Sequence, residues 1–289
     1  MTSTRPAGSL RAVLSTGHAV RPGIWPGPAW PRVPDVRSTA LRLRSRGAGG
    51  LLLALASLSA CATGGAADSG VPASAAHRAA AHLDLARAYL HGETPARARE
   101  PLLRALELDP KRVEAHVLAG ILYERGQEPR LAERHFQAAL ALDPDDPQAL
   151  NNYGAFLYGQ GRYGAALGPL GRASRNADYR LRDQVYENLG LTELALGRAD
   201  AARHAFERAL ELGANRPRST LELAGIHYSQ HDYQAAERYY HEFLAHAGET
   251  ARSLCLGLRL AGVEGATFRS MNHAERLRAR FPKAISSCR

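Results

Sequence analysis

The chain has 289 residues, of which 45% are hydrophobic and 22% charged, and its formal net charge is +9. That length suits one large domain or two smaller ones. The charge is unevenly placed, because residues 1–60 carry +7, from eight Arg and one Asp, and residues 61–289 carry only +2. A nucleic-acid-binding domain needs its basic excess on the folded part. We therefore exclude nucleic acid as the expected partner.

An apolar run that ends at a cysteine follows the basic N-terminal region. Residues 51–60 read LLLALASLSA, with several Arg before them and Cys61 directly after. Ten apolar residues are too few to span a bilayer as a helix, which takes about 20, but they have the length of a signal-peptide core. The segment LSAC at 58–61 resembles the lipobox of bacterial lipoproteins. A chance apolar stretch that happens to end in Cys is the alternative.

The lipobox resemblance implies a membrane anchor. Residues 36–60 would be the signal peptide, cleaved before Cys61, whose thiol and amino group would carry acyl chains. Lipoproteins with Asp after this cysteine stay in the inner membrane, but Ala62 follows here. We therefore expect the lipoprotein sorting machinery to deliver the chain to the outer membrane, where it faces the periplasm.

Two segments flank this signal. Residues 1–35 are rich in Pro, contain both Trp and lie upstream of a complete signal peptide. We expect them to be a wrongly assigned extension, with translation starting near Val36; a functional N-terminal extension is the alternative. Residues 61–78 are small and polar, which predicts a flexible tether from the lipidated Cys61.

The rest of the chain repeats with a period of 34 residues. The strings ALELDP and ALALDP end at Pro110 and Pro144, and small and large residues recur at fixed positions between them. This period resembles the tetratricopeptide repeat, a pair of helices that buries its apolar face only by stacking on its neighbours. We predict an all-α superhelical solenoid of about six helix-turn-helix repeats and a C-terminal tail at 285–289. The predicted repeats span 79–112, 113–146, 147–180, 183–216, 217–250 and 251–284.

In this repeat class, positions 2, 5, 9 and 12 of each first helix line a concave groove. The first two repeats place an apolar stripe there, which suits an amphipathic helix or an extended apolar segment of a partner. Later repeats place amides and tyrosines there. The predicted groove residues are Leu83, Arg87, Leu90, Val117, Ile121, Asn151, Asn152, Tyr158, Asn188 and Tyr228. In the alternative interpretation, the apolar stripe packs on the chain's own segment 71–79.

Two cysteines remain once Cys61 is lipidated. Cys255 lies early in the first helix of the sixth repeat and Cys288 just past the end of its second helix, and a helical hairpin brings those two ends together. In an oxidising compartment this arrangement predicts a disulfide, which would stabilise the last repeat. Two unrelated thiols are the alternative.

No catalytic motif stands out in the sequence. It contains no Gly-rich phosphate loop, no His-Glu-x-x-His motif and no paired-cysteine metal spacing. His227 and His231 are four residues apart, which allows a metal site, but His231 falls in an expected turn and surface or packing histidines are favoured. We predict no enzyme, no catalytic residue, no metal and no cofactor beyond the lipid on Cys61.

Three strings resemble one family more specifically. NNYGAFLYGQGRY at 151–163, YENLGLTELALGR at 186–198 and ARSLCLGLRLA at 251–261 are similar to the type IV pilus biogenesis lipoproteins of the PilF/PilW family. The resemblance implies a pilotin, which binds secretin subunits of the type IV pilus and promotes their localisation and multimerisation in the outer membrane, hence pilus biogenesis and twitching motility. The alternative is a periplasm-facing repeat lipoprotein that serves as a scaffold for peptidoglycan enzymes or outer-membrane assembly.

Overall fold

The computed structural model describes residues 74–92, 94–263 and 265–288. The predicted extension 1–35, the signal peptide 36–60, Cys61 and residues 61–73 of the tether lie outside these described residues. Where the structure is described, every regular element is helical. No helix in these ranges is both long and apolar enough to cross a membrane.

Twelve α-helices follow one another in six antiparallel pairs across the described ranges. Two short 3₁₀ segments accompany them: Pro95–Ala98 lies just before the second helix, and Pro282–Cys288 follows the last one. The helices are α1 Ala75–His91, α2 Arg99–Leu108, α3 Val113–Arg125, α4 Pro129–Leu142, α5 Pro147–Gly159, α6 Tyr163–Arg175, α7 Arg182–Ala195, α8 Ala199–Leu212, α9 Pro217–Ser229, α10 Tyr233–Ala247, α11 Ala251–Val263 and α12 Thr267–Arg280. The predicted all-α array of paired helices is confirmed.

Capping residues in the sequence determine where several helices begin. The Asp146 side chain accepts a hydrogen bond from the Ala149 amide at 2.6 Å, and Pro147 occupies the first helical position of α5. Proline suits that position because its missing N–H has no partner there in any helix. At α1, the Ser74 hydroxyl caps the helix in the same way. Helix α1 therefore begins at Ala75, four residues before the predicted first repeat, and residues 75–78 of the predicted tether are helical.

Glycines allow the two helices of a pair to approach closely. A Cβ added at Gly120 would lie 2.5 Å from the ring of Phe136, and one added at Gly190 would lie 2.6 Å from the ring of Phe206. Both rings are fully buried. The large residue on each second helix thus fills the space left by the glycine on the first.

Successive pairs contact each other through the second helix of one pair and the first helix of the next, and also through their first helices. Each of α1, α3, α5, α7 and α9 contacts the next first helix along the chain, whereas in the described residues no second helix contacts the next second helix. The first helices are therefore closer together than the second helices, and they line the inner face of the stack. All contacts between helices stay within one pair or between adjacent pairs.

Candidate functional site

The apolar stripe predicted in the first two repeats is buried. Leu83, Leu90 and Val117 are only 1%, 3% and 0% exposed, and they belong to the core between the helices. Their positions face neighbouring helices because successive first helices contact each other. Ile121 is half-buried and packs beside Val117 in the same cluster. The prediction that these residues form an open apolar groove is wrong.

Of segment 71–79, on which the stripe packs in the alternative interpretation, residues 71–73 lie outside the described residues. Residues 75–79 form the first turns of α1 and so are part of the helix that carries Leu83. The inner face of the first two repeats is charged instead. Arg87 hydrogen-bonds to Asp84 at 2.7 Å and to Glu114 on the next first helix. The carboxyl of Glu124, also on α3, has its pKa raised by burial.

Polar side chains connect the first helices of the later repeats. Asn188 donates a hydrogen bond to Asn151 at 3.0 Å, which joins α7 to α5. Asn152 donates at 2.8 Å to the carbonyl of Gln148 in its own helix. Each of the three predicted amides therefore already makes a hydrogen bond within the protein.

Two more polar contacts continue this series toward the C-terminus. Ser219 of α9 donates to Glu187 of α7 at 2.9 Å. Arg252 of α11 donates two hydrogen bonds to the carboxylate of Glu222 of α9, which is only 2% exposed. Pairing compensates for burial of that carboxylate, which would otherwise be costly. Each of the three boundaries from the third to the sixth repeat therefore has a polar contact between its first helices.

The two predicted groove tyrosines are half-buried beside other tyrosines. The ring of Tyr158 lies 5.4 Å from that of Tyr163, and the ring of Tyr228 lies 5.7 Å from that of Tyr233. Burial raises the pKa of the Tyr158 hydroxyl, on which the charges of residues 218, 222 and 252 also act. Tyr158 therefore shares the inner face with charged side chains of α9 and α11.

The inner face opens into a cleft between the fifth and sixth repeats. We call this the inner cleft; its volume is about 380 Å³, at the lower end of the range typical of ligand sites. Its residues come from α9, α11 and the 3₁₀ segment that follows α12. They are Leu221, Gly225, Ala251, Arg252, Cys255, Leu256, Arg259 and Ala284. Leu221 and Gly225 stand at groove positions 5 and 9 of the fifth repeat, but none of the eight was among the ten predicted groove residues, and Cys255 was predicted only as a disulfide partner.

A disulfide holds one wall of the inner cleft in place. Cys255 of α11 is bonded to Cys288, and their Cα atoms are 5.1 Å apart. The carbonyl of Cys288 also accepts hydrogen bonds from the guanidinium of Arg259 at 3.2 and 3.3 Å. The segment Pro282–Cys288 is thereby fixed against α11, and its Ala284 lines the cleft.

The two histidines weighed as metal ligands have other contacts. The Nδ1 atom of His227 lies 3.1 Å from a carboxylate oxygen of Asp232, and its ring stacks on Tyr239. His231 lies in the turn before α10, with its Nδ1 atom 2.7 Å from the hydroxyl of Tyr233. Among the described residues, no group of three or more His, Cys, Asp or Glu side chains is placed to hold a metal ion.

Comparison with known proteins identifies the family. The tetratricopeptide repeat model matches residues 66–113, 117–180 and 188–251. The type IV pilus assembly protein PilF of Pseudomonas aeruginosa is 35% identical over 205 residues, which cover 71% of this chain and 81% of that protein. The chain belongs to the PilF family of type IV pilus tetratricopeptide repeat proteins.

Solved structures agree with this membership. A structure of Pseudomonas aeruginosa PilF matches this PilF-family chain with a TM-score of 0.69 at 35% identity, covering 73% of this chain and 96% of that one. The crystal structure of PilW, described as a widely conserved type IV pilus biogenesis factor, matches with a TM-score of 0.66 at 23% identity, covering 72% and 97%. The second match shows that the fold is shared.

Proposed function

We propose that this PilF-family chain is a pilotin, an outer-membrane lipoprotein that binds secretin subunits of the type IV pilus in the periplasm. It brings them to the outer membrane and promotes their multimerisation there, which pilus biogenesis and twitching motility require. One observation carries the proposal: the 35% identity to a type IV pilus assembly protein extends over 81% of that relative. The likeness therefore covers most of the protein that is named for pilus assembly.

The proposal divides the chain into an address and a binding part. The address is the lipobox-like segment that ends at Cys61, because acyl chains contribute about 0.8 kcal/mol per buried methylene and several chains anchor a protein stably. The binding part is the array of helix pairs from Ser74 onward. Stacked helix pairs present extended surfaces to other proteins. In this proposal the chain acts as an adaptor and catalyses no reaction.

The level of heat- and SDS-resistant secretin multimers in cells tests the proposal. We would compare wild type, a deletion strain, Cys61→Ala and Ala62→Asp. Cys61→Ala removes the acylated residue, whereas Ala62→Asp keeps it and changes the sorting signal. We expect multimers at the outer membrane only in wild type, with Ala62→Asp moving the protein and the secretin subunits to the inner membrane.

The same strains distinguish the pilotin from the alternative scaffold. If deletion leaves multimers at the wild-type level, the pilotin role is refuted. A deletion strain with normal multimers and an altered cell wall would favour a scaffold for peptidoglycan enzymes or outer-membrane assembly. Equal amounts of Cys61→Ala and wild-type protein, measured by immunoblotting, are needed so that the comparison reports location and not abundance.

A further inference from the structure

The inner cleft combines an apolar floor with positive charge. Its floor is formed by Leu221 and Leu256, on neighbouring first helices, and by the exposed backbone face of Gly225. The charged side chains that line it are Arg252 and Arg259, and no carboxylate is among the lining residues that the structure describes. A segment that fits this surface therefore needs apolar side chains next to negative charge.

The two arginines are differently engaged. Arg252 is paired with the buried carboxylate of Glu222, so its charge is largely compensated. Arg259 contacts a backbone carbonyl, that of Cys288, which carries no formal charge. Guanidinium groups bind carboxylates in a bidentate geometry, and such pairs are among the stronger hydrogen bonds. Arg259 is therefore the group that a partner's carboxylate would contact.

Gly225 keeps the cleft open. It lies within α9, and apart from its chain neighbours and the backbone of its own helix, a Cβ built on it would meet no atom within 4 Å. The corresponding position of the preceding repeat is Leu191, which is buried. Glycine inside a helix lowers stability relative to other residues, and here no close packing requires it. Its effect is to leave space on the inner face where a larger side chain would stand.

We propose that the inner cleft binds a short segment of a partner protein in which apolar side chains are flanked by carboxylates. The apolar side chains lie between α9 and α11, and a carboxylate pairs with Arg259. The wall formed by Pro282–Cys288 completes the site, so the disulfide is needed for full affinity. The inference rests on the proposed function, since it assigns the chemistry of the secretin segment that a pilotin would hold.

Peptide binding to the full repeat array tests the cleft directly. The probe is a fluorescent hexapeptide with two central Leu residues flanked by Glu, and two control peptides carry Lys in place of Glu or Ser in place of Leu. We expect only the first peptide to bind, with an affinity that falls as salt rises. No binding of the first peptide, or equal binding of the Lys peptide, would overturn the proposal.

Two glycine variants separate blocking of the cleft from a general effect. Gly225→Trp fills the open space, whereas Gly171→Trp places the same side chain on α6, where a Cβ also meets nothing outside its own helix within 4 Å. We expect Gly225→Trp to weaken peptide binding at least ten-fold and Gly171→Trp to bind like wild type. Arg259→Gln should weaken it several-fold and reduce the salt dependence. Unchanged affinity in Gly225→Trp would refute the site, and circular dichroism would verify that both variants fold.

The level of secretin multimers in cells then distinguishes the role of the inner cleft from the pilotin role of the whole chain. Loss of multimers in Gly225→Trp, with wild-type levels in Gly171→Trp, supports the cleft as the secretin site. Normal multimers in Gly225→Trp, in a background where deletion abolishes them, overturn this inference and leave the pilotin role standing. If deletion has no effect, the pilotin role fails, and peptide binding alone decides whether the cleft recognises this chemistry.

Discussion

The contact between Gly190 and Phe206 predicts that one substitution has opposite effects at two glycines. Gly→Ala inside a helix adds about 1 kcal/mol of stability when the new methyl group is unobstructed. At Gly171, in α6, the new Cβ would meet nothing outside its own helix within 4 Å, so we expect that gain. At Gly190 the Cβ would lie 2.6 Å from two ring carbons of Phe206, which is fully buried.

The size of the loss at Gly190 follows from the packing around the ring. Leu191, Leu223 and Ile226 are buried in the same cluster as Phe206, so the ring has little room to move away. Overpacking of a core costs about 1–3 kcal/mol. With the upper figure and the helix-propensity gain of about 1 kcal/mol, Gly190→Ala should lose about 2 kcal/mol. The two variants would then differ by about 3 kcal/mol.

Urea denaturation followed by far-ultraviolet circular dichroism measures this difference as a shift of the midpoint in each direction. The background Phe206→Ala provides the internal control, because it removes the ring that the new methyl group meets. In that background Gly190→Ala should stabilise the protein, although Phe206→Ala itself costs about 3–5 kcal/mol. The reasoning is refuted if Gly190→Ala destabilises equally with and without the ring.

Three further predictions use other features. Replacing Cys255 and Cys288 together by Ser should cost about 4 kcal/mol, because the disulfide closes a loop with a sequence separation of 33; a variant as stable as the oxidised protein would contradict this. Burial lowers the pKa of His135 in the folded protein. The stability that this residue contributes is therefore present above the ordinary histidine pKa of about 6.5 and is lost as pH falls through the lower pKa of the folded state. His135→Gln should reduce the dependence of stability on pH in acidic titrations, and an unchanged slope would count against this reasoning. Asp146→Ala removes the cap of α5 and should cost about 1 kcal/mol of stability. The neighbouring control Asp145→Ala loses only an exposed ion pair and should change stability by less than about 0.5 kcal/mol. Equal effects of the two variants in thermal melts would show that the cap is unimportant.

The repeat period predicted the helix pairs well because it records local packing. A small residue such as Gly120 must face a large one such as Phe136 in the same pair, so the pattern that specifies the contact lies within one 34-residue unit. Helices α3, α5, α9 and α11 begin at the first residues of predicted repeats, and α7 begins one residue earlier. The start of α1 differed because Ser74, outside the repeat pattern, caps an additional turn.

The site was predicted less well because exposure depends on neighbouring repeats. Whether Val117 is open or buried is determined by α5, which begins 30 residues later in the chain. The inner cleft needs the segment Pro282–Cys288 as a wall; the predicted disulfide placed Cys288 beside α11, but no sequence pattern placed Ala284 at the cleft. Gly225 was the available signal, because a small residue stands where Leu191 stands in the repeat before.

The contacts of each repeat with adjacent repeats alone have a consequence for how the chain acquires its structure. Since no helix in the described residues contacts one more than a repeat away, each pair can fold as soon as its predecessor is in place, which suits a chain that emerges N-terminus first. Beyond Cys61 there are only two cysteines, one in the last repeat and the other in the short segment that follows it. Oxidation therefore joins two neighbouring parts of the chain, without a competing cysteine among the five repeats before them. Because Cys288 is synthesised after all six pairs, the disulfide can form only once every helix of the array has been made.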